Sequence, residues 1–72
     1  MLCLCFISLN EDIHYSIICK NTDKFSSIEE TFYEKYPELI ESGNSFICNG
    51  RKIKRFKTLE ENKILNNDII YF

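Results

Sequence analysis

The apolar residues of this chain change their spacing twice, and that switch of period restricts the fold more than any other feature. From Leu2 to Leu9 (LCLCFISL) the run is apolar almost throughout, with the length of a strand covered on both faces. Asn10-Glu11-Asp12 has turn chemistry. From Ile13 to Cys19 one face carries Ile13, Tyr15, Ile17 and Cys19, and the other carries His14, Ser16 and Ile18. Two such runs joined by a short polar turn predict a hairpin, its first strand internal to a sheet and its second at an edge. The period then lengthens. Ile28, Phe32 and Tyr36 recur at i, i+4 and i+8, one face of a helix, and Pro37 disfavours helical geometry at Tyr36. Ser26-Ser27-Ile28-Glu29 fits a capping box at the helix start. Glu29, Glu30, Glu34 and Lys35 are expected to face water.

Beyond the helix, Glu38 to Ser45 reads as connector with a turn at Gly43-Asn44. Ser45 to Cys48 and Arg51 to Ile53 then form a second hairpin about Asn49-Gly50. Lys54 to Lys57 is a loop, and Thr58-Leu59-Glu60-Glu61 a capped single helical turn anchored by Ile64. Asn66-Asn67-Asp68 is a further turn, and Ile69 to Phe72 a closing strand. The expected order is ββαββ(short helix)β in one domain over residues 1–72, a two-layer α+β fold. Its expected core is Ile13, Tyr15, Ile17, Ile28, Phe32, Phe46, Ile53, Leu59, Ile64 and Ile70, with one face of the first strand. Leu2, Leu4 and Phe6 compete with Cys3, Cys5 and Ile7 for that face, because a one-residue slip exchanges them. Ile69 and Ile70 leave the phase of the last strand similarly open.

Composition narrows the function. With 44% hydrophobic and 28% charged residues, two Gly and one Pro, the chain is neither a disordered tail nor a linker. The apolar run Met1 to Asn10 is too short to span a bilayer and lacks the flanks of a signal peptide. The expectation is a soluble, monomeric domain of the cytoplasm or nucleus, with no membrane role. Eleven Ile beside no Val and no Ala reflect base-composition bias, so Ile richness carries no weight as strand evidence. A net charge of −2 argues against nucleic acid as a partner for the whole domain. Its distribution is uneven: Arg51, Lys52, Lys54, Arg55 and Lys57 surround Phe56, while Glu29, Glu30, Glu34, Glu38 and Glu41 make the helix side acidic. Such a basic run serves solubility, an acidic protein partner, or nucleic acid or an anionic lipid. Cys3, Cys5, Cys19 and Cys48 contain no C-x-x-C pair. Cys3 and Cys5 share a strand face to which the hairpin is expected to return Cys19. The four thiols are read as small hydrophobes in a reducing compartment rather than metal ligands. His14 is the only histidine and has no nucleophile or orienting carboxylate beside it in sequence. No catalytic, metal or cofactor site is expected.

The second half carries a resemblance. Phe46-Ile47-Cys48-Asn49-Gly50-Arg51-Lys52-Ile53, then Thr58-Leu59-Glu60-Glu61-Asn62-Lys63-Ile64, then Asp68-Ile69-Ile70-Tyr71-Phe72, resembles the ubiquitin family pattern of apolar-Ile-apolar-x-Gly-Lys-x-Leu, Thr-Leu-x-Asp-x-x-Ile and a final strand, without a gap. The first half agrees in element order. The resemblance implies a β-grasp: a mixed sheet with one helix packed across it. It also implies recognition through an apolar patch centred on Ile47 and flanked by Leu9 and Tyr71, beside the hairpin residues Gly50 and Arg51. Two departures matter. The family's conjugated members end in Gly-Gly, whereas this sequence stops at Phe72. Arg51 stands where the family carries a chain-extending lysine, and a guanidinium is not an acyl acceptor. The implied role is a non-catalytic domain that docks proteins, such as ubiquitin-pathway components or complex subunits. The alternatives are a stand-alone modifier whose Gly-Gly tail is missing here, and a structural subunit of a larger assembly.

Overall fold

A computed structural model describes residues 1–43 and 45–72, so the turn expected at Gly43-Asn44 falls partly outside the described residues. The elements are β1 (Leu2–Ile7), β2 (His14–Cys19), α1 (Phe25–Lys35), a 3₁₀ helix (Pro37–Ser42), β3 (Ile47–Cys48), β4 (Arg51–Lys52) and β5 (Ile69–Tyr71). The five strands among the described residues form one sheet in the order β2-β1-β5-β3-β4. β1 and β5 run parallel while the other neighbours are antiparallel, so the sheet is mixed. With α1 packed across it, the domain is α+β. β1 has a strand on each side and β2 is an edge, as the hydrophobic patterns require.

Pairing resolves the phase of β1. Leu4 and Phe6 are solvent-free, so Leu2, Leu4 and Phe6 face the helix and Cys3, Cys5 and Ile7 the opposite side. Because Phe6 pairs with Ile70, Ile70 points inward and Ile69 outward. Stacked on this sheet face is an aromatic cluster. The Phe32 ring centroid lies 4.8 Å from that of Phe6 and 4.9 Å from that of Phe72, with Phe46 and Tyr36 around it. Phe25, Cys19 and Cys48 join the buried core, and Ile13 does not. Ile13 is only half-buried, because pairing begins at His14 and leaves it in the turn. Cys19 also departs from expectation. It pairs with Leu2 and lies on the helix side, away from Cys3 and Cys5.

Local signals were misassigned at three places. The Ser26 capping box does not form: the helix is capped from Lys24 with no side-chain acceptor. Instead the Phe25 and Ser26 amides donate to the carbonyls of Lys57 (3.0 Å) and Arg55 (2.8 Å), so a distant loop satisfies the helix's first donors. Glu29 therefore does not face water. It is buried, and its Oε1 accepts from Arg55 Nε at 2.8 Å. The expected short helix near Thr58 is a run of turns, although its box is real. Thr58 N–H donates to Glu61 Oε1 (2.9 Å) and Glu61 N–H to Thr58 Oγ1 (3.0 Å). Finally, the Glu38 to Ser45 connector contains most of the 3₁₀ helix, which Pro37 opens at a position where its missing N–H costs nothing.

Candidate docking face

Strand alternation that sends Leu4, Phe6 and Ile70 toward α1 sends their neighbours to the helix-free face. The registers align one row across all five strands: His14–Ile7–Tyr71–Ile47–Lys52. Side chains opposite one another in such a row lie about 4.5–5.5 Å apart at Cβ, so Ile7, Tyr71 and Ile47 form a continuous apolar strip. A second row, Ser16–Cys5–Ile69, runs beside it. Ile47, Ile69 and Tyr71 keep 36%, 39% and 41% of their surface exposed. The strip ends at polar residues, His14 at the β2 edge and Lys52 at the β4 edge, while exposed Ile18 lies further along β2 on the same face, opposite Cys3.

Both ends of the face are pinned by hydrogen bonds. At one end Leu9 N–H donates to the Phe72 carbonyl (2.9 Å), and Phe72 N–H to the Ile7 carbonyl (3.2 Å). Leu9 projects there, 75% exposed. At the other end the β3–β4 turn has φ of 53° at Asn49 and 76° at Gly50, the two positive values of a type I′ hairpin turn. A Cβ on Gly50 would meet nothing within 4 Å, so glycine serves there for conformation rather than for space. Asp68 fixes the turn to the sheet: its Oδ2 accepts from Leu65 N–H (2.8 Å), Asn49 Nδ2 (3.3 Å) and the Cys48 thiol (3.7 Å). Burial, then the Asp68 carboxylate, pushes the Cys48 thiol up to about 11. Burial also raises the Cys19 thiol, with Asp23 adding to the effect.

The five residues singled out from the sequence are thus arranged along a line. Ile47 and Tyr71 are direct partners at the middle, Leu9 lies at one end, and Gly50 with Arg51 at the other. Cys5, Ile7 and Ile69 also belong to the face and were missed, because the phases of β1 and β5 were open in the sequence. The basic run does not form one surface. Arg55 turns to Glu29 on the helix, with its guanidinium 5.6 Å from the Phe56 ring centroid, while Arg51 and Lys52 lie on β4. Among the described residues no group of three His, Cys, Asp or Glu side chains is placed to hold a metal ion. No described helix is long and apolar enough to cross a membrane. No protein-family model and no curated protein matches the chain.

Proposed function

We propose that the chain is a ubiquitin-like β-grasp domain that acts without catalysis, docking a protein partner on the helix-free face through Ile47, Tyr71 and Leu9. Gly50 and Arg51 border the contact. The observation that carries this reading is the contiguous apolar row Ile7–Tyr71–Ile47 on the helix-free sheet face, with Tyr71 and Ile47 exposed and Ile7 half-buried. Apolar residues exposed singly are ordinary, but an exposed contiguous patch rimmed by polar groups is the usual mark of an interface. A two-sided strip with an amphipathic Tyr and a cation at its end suits an apolar segment carrying a carboxylate near Lys52 or Arg51. The β-grasp reading draws support from the strand order, with its parallel β1–β5 pair at the centre and a hairpin on each flank.

The experiment compares proteins captured by the immobilised wild type, by Ile47→Asp, and by Ile40→Asp, whose target residue is exposed at a different place in the fold. A charge in a central hot spot is expected to cost about 2 kcal/mol or more, close to a thirtyfold loss of affinity. Loss of partners with Ile47→Asp and retention with Ile40→Asp is the expected result. Equal capture by all three proteins refutes docking on this face. Loss with both substitutions favours a structural subunit packed on several sides, a reading to which the exposed Ile40, Phe56 and Leu65 give some support.

A further inference from the structure

A second feature begins at the Lys52 end of the apolar strip, where β4 meets the turn at residues 61–63. Arg51, Lys52, Lys54, Glu61, Asn62 and Lys63 enclose a concavity of about 250 Å³. The one ion pair among the described residues joins Arg55 to Glu29, so none of the four cations around this concavity is neutralised by a carboxylate. Its single acid, Glu61, accepts the Thr58 N–H, which holds its carboxyl below the usual range and keeps it ionised, so one negative charge remains among the four positive ones. Four cations and one carboxylate thus line the concavity, a local excess of positive charge in a chain whose net charge is −2.

Hydrogen bonds tie together the segments that carry these residues. Asn62 clamps the two walls together. Its Oδ1 accepts from Lys54 N–H (2.9 Å), and its Nδ2 donates to the carbonyls of Lys54 (2.9 Å) and Thr58 (3.0 Å). Lys63 is held left-handed at φ 59°, with its amide bonded to the Glu60 carbonyl. The β4 edge adds a neutral donor. Ile53 N–H bonds to the Phe46 carbonyl, and hydrogen-bonded pairs alternate along an antiparallel ladder, so the Lys52 amide points outward at the open edge.

We infer that this concavity is a binding site for a compact polyphosphate. The volume lies below the roughly 300–1,000 Å³ of pockets for larger organic ligands, which selects a small ligand of high charge density. Phosphoryl groups place more charge and more acceptor oxygens in that space than carboxylates do. An extended nucleic acid fits less well. Phe56, the aromatic available for base stacking, does not line the concavity, and the neighbouring cleft that Arg55 reaches is lined by Glu29, Glu30 and Glu34.

The test titrates the isotope-labelled domain with sodium tripolyphosphate, and separately with sodium sulfate at matched ionic strength, following backbone amide shifts. The expected result is saturable shifts at Arg51, Lys52, Lys54 and Lys63, with tripolyphosphate binding about tenfold more tightly than sulfate. The double variant K54Q/K63Q loses about tenfold in affinity, equivalent to about 1.4 kcal/mol. K35Q, on the helix, changes nothing. Unperturbed amide spectra of the variants establish that they fold. Vesicles containing phosphatidylinositol bisphosphate distinguish a lipid headgroup from a soluble source, and with tripolyphosphate bound either outcome supports the site. Equal affinity for sulfate and tripolyphosphate, or undiminished affinity in K54Q/K63Q, overturns the inference. So does a single-stranded RNA oligomer that binds more tightly than tripolyphosphate and shifts Phe56.

Discussion

Truncating Phe32 to alanine is expected to remove a large share of the stability of this domain. The ring is solvent-free at the centre of the helix–sheet layer, with centroids at 4.8 Å (Phe6), 4.9 Å (Phe72), 5.3 Å (Tyr36) and 5.8 Å (Phe46). Burying no phenyl there forfeits its transfer free energy and leaves a cavity, together about 3–5 kcal/mol. Each well-oriented aromatic pair adds about 0.5–1.5 kcal/mol beyond area, which places this site at the upper end. A chain of 72 residues is stable by only about 4–11 kcal/mol at roughly 0.05–0.15 kcal/mol per residue. Phe32→Ala therefore leaves the domain at the margin of folding. Phe32→Leu keeps much of the volume and is expected to cost about 1–1.5 kcal/mol, a fall in melting temperature of about 5–12 °C. Urea and thermal unfolding followed by circular dichroism read both values, with Leu65→Ala, exposed on the surface, as the control. A cost below about 1 kcal/mol for Phe32→Ala refutes the reasoning. The helix would then not seal this side of the sheet, and the assignment of the opposite face as the free one would fall with it.

Two further outcomes follow from ionisable groups. The Thr58 backbone N–H, foremost, lowers the carboxyl of Glu61 from its ordinary 4.5. A depressed carboxyl contributes stability above its unfolded value and loses that contribution as pH falls through its folded one. Glu61→Gln is expected to flatten the acid limb of melting temperature against pH below about 5, and a limb parallel to that of the wild type rules this out. In the folded protein at neutral pH, an aromatic disulfide reagent should modify the half-buried Cys3 and Cys5 quickly. Cys19 and Cys48, buried and raised, should react only on the timescale of unfolding. Rapid modification of all four thiols contradicts the burial assigned to β2 and β3.

What the sequence disclosed was governed by locality. Both hairpins were readable because their turns are written in adjacent residues, Asn10-Glu11-Asp12 and Asn49-Gly50, and the positive φ values at Glu11, Asn49 and Gly50 follow from that chemistry. The helix face Ile28–Phe32 was readable for the same reason. Two Ser/Thr-x-x-Glu boxes look alike in sequence, and only Thr58–Glu61 closes. At Ser26 the 55–57 loop supplies backbone carbonyls, and Arg55 draws Glu29 inward from 26 residues away, a competition that no local pattern contains. The phase of LCLCFISL was undetermined for a related reason. Both of its faces are apolar, so only its pairing with β5 and the position of α1 decide which one the core takes.

That ambiguity bears on function. A chain biased toward Ile by base composition will expose some apolar residues without purpose, and Ile40 and Leu65, outside the strands, are exposed in that way. Bias acts position by position, however, and has no means of aligning residues that are distant in sequence. Ile7, Tyr71 and Ile47 come from three strands and meet only through a parallel and an antiparallel register. On the edge strands the same face carries His14 and Ser16 on β2 and Lys52 on β4, with Ile18, opposite Cys3, as its exposed apolar exception. A solvated sheet face is stable with one apolar side, and alternation in the manner of β2 would have served β1, β3 and β5 equally. The apolar strip on the three inner strands is therefore not required by the core beneath it, and the docking proposed above would account for it.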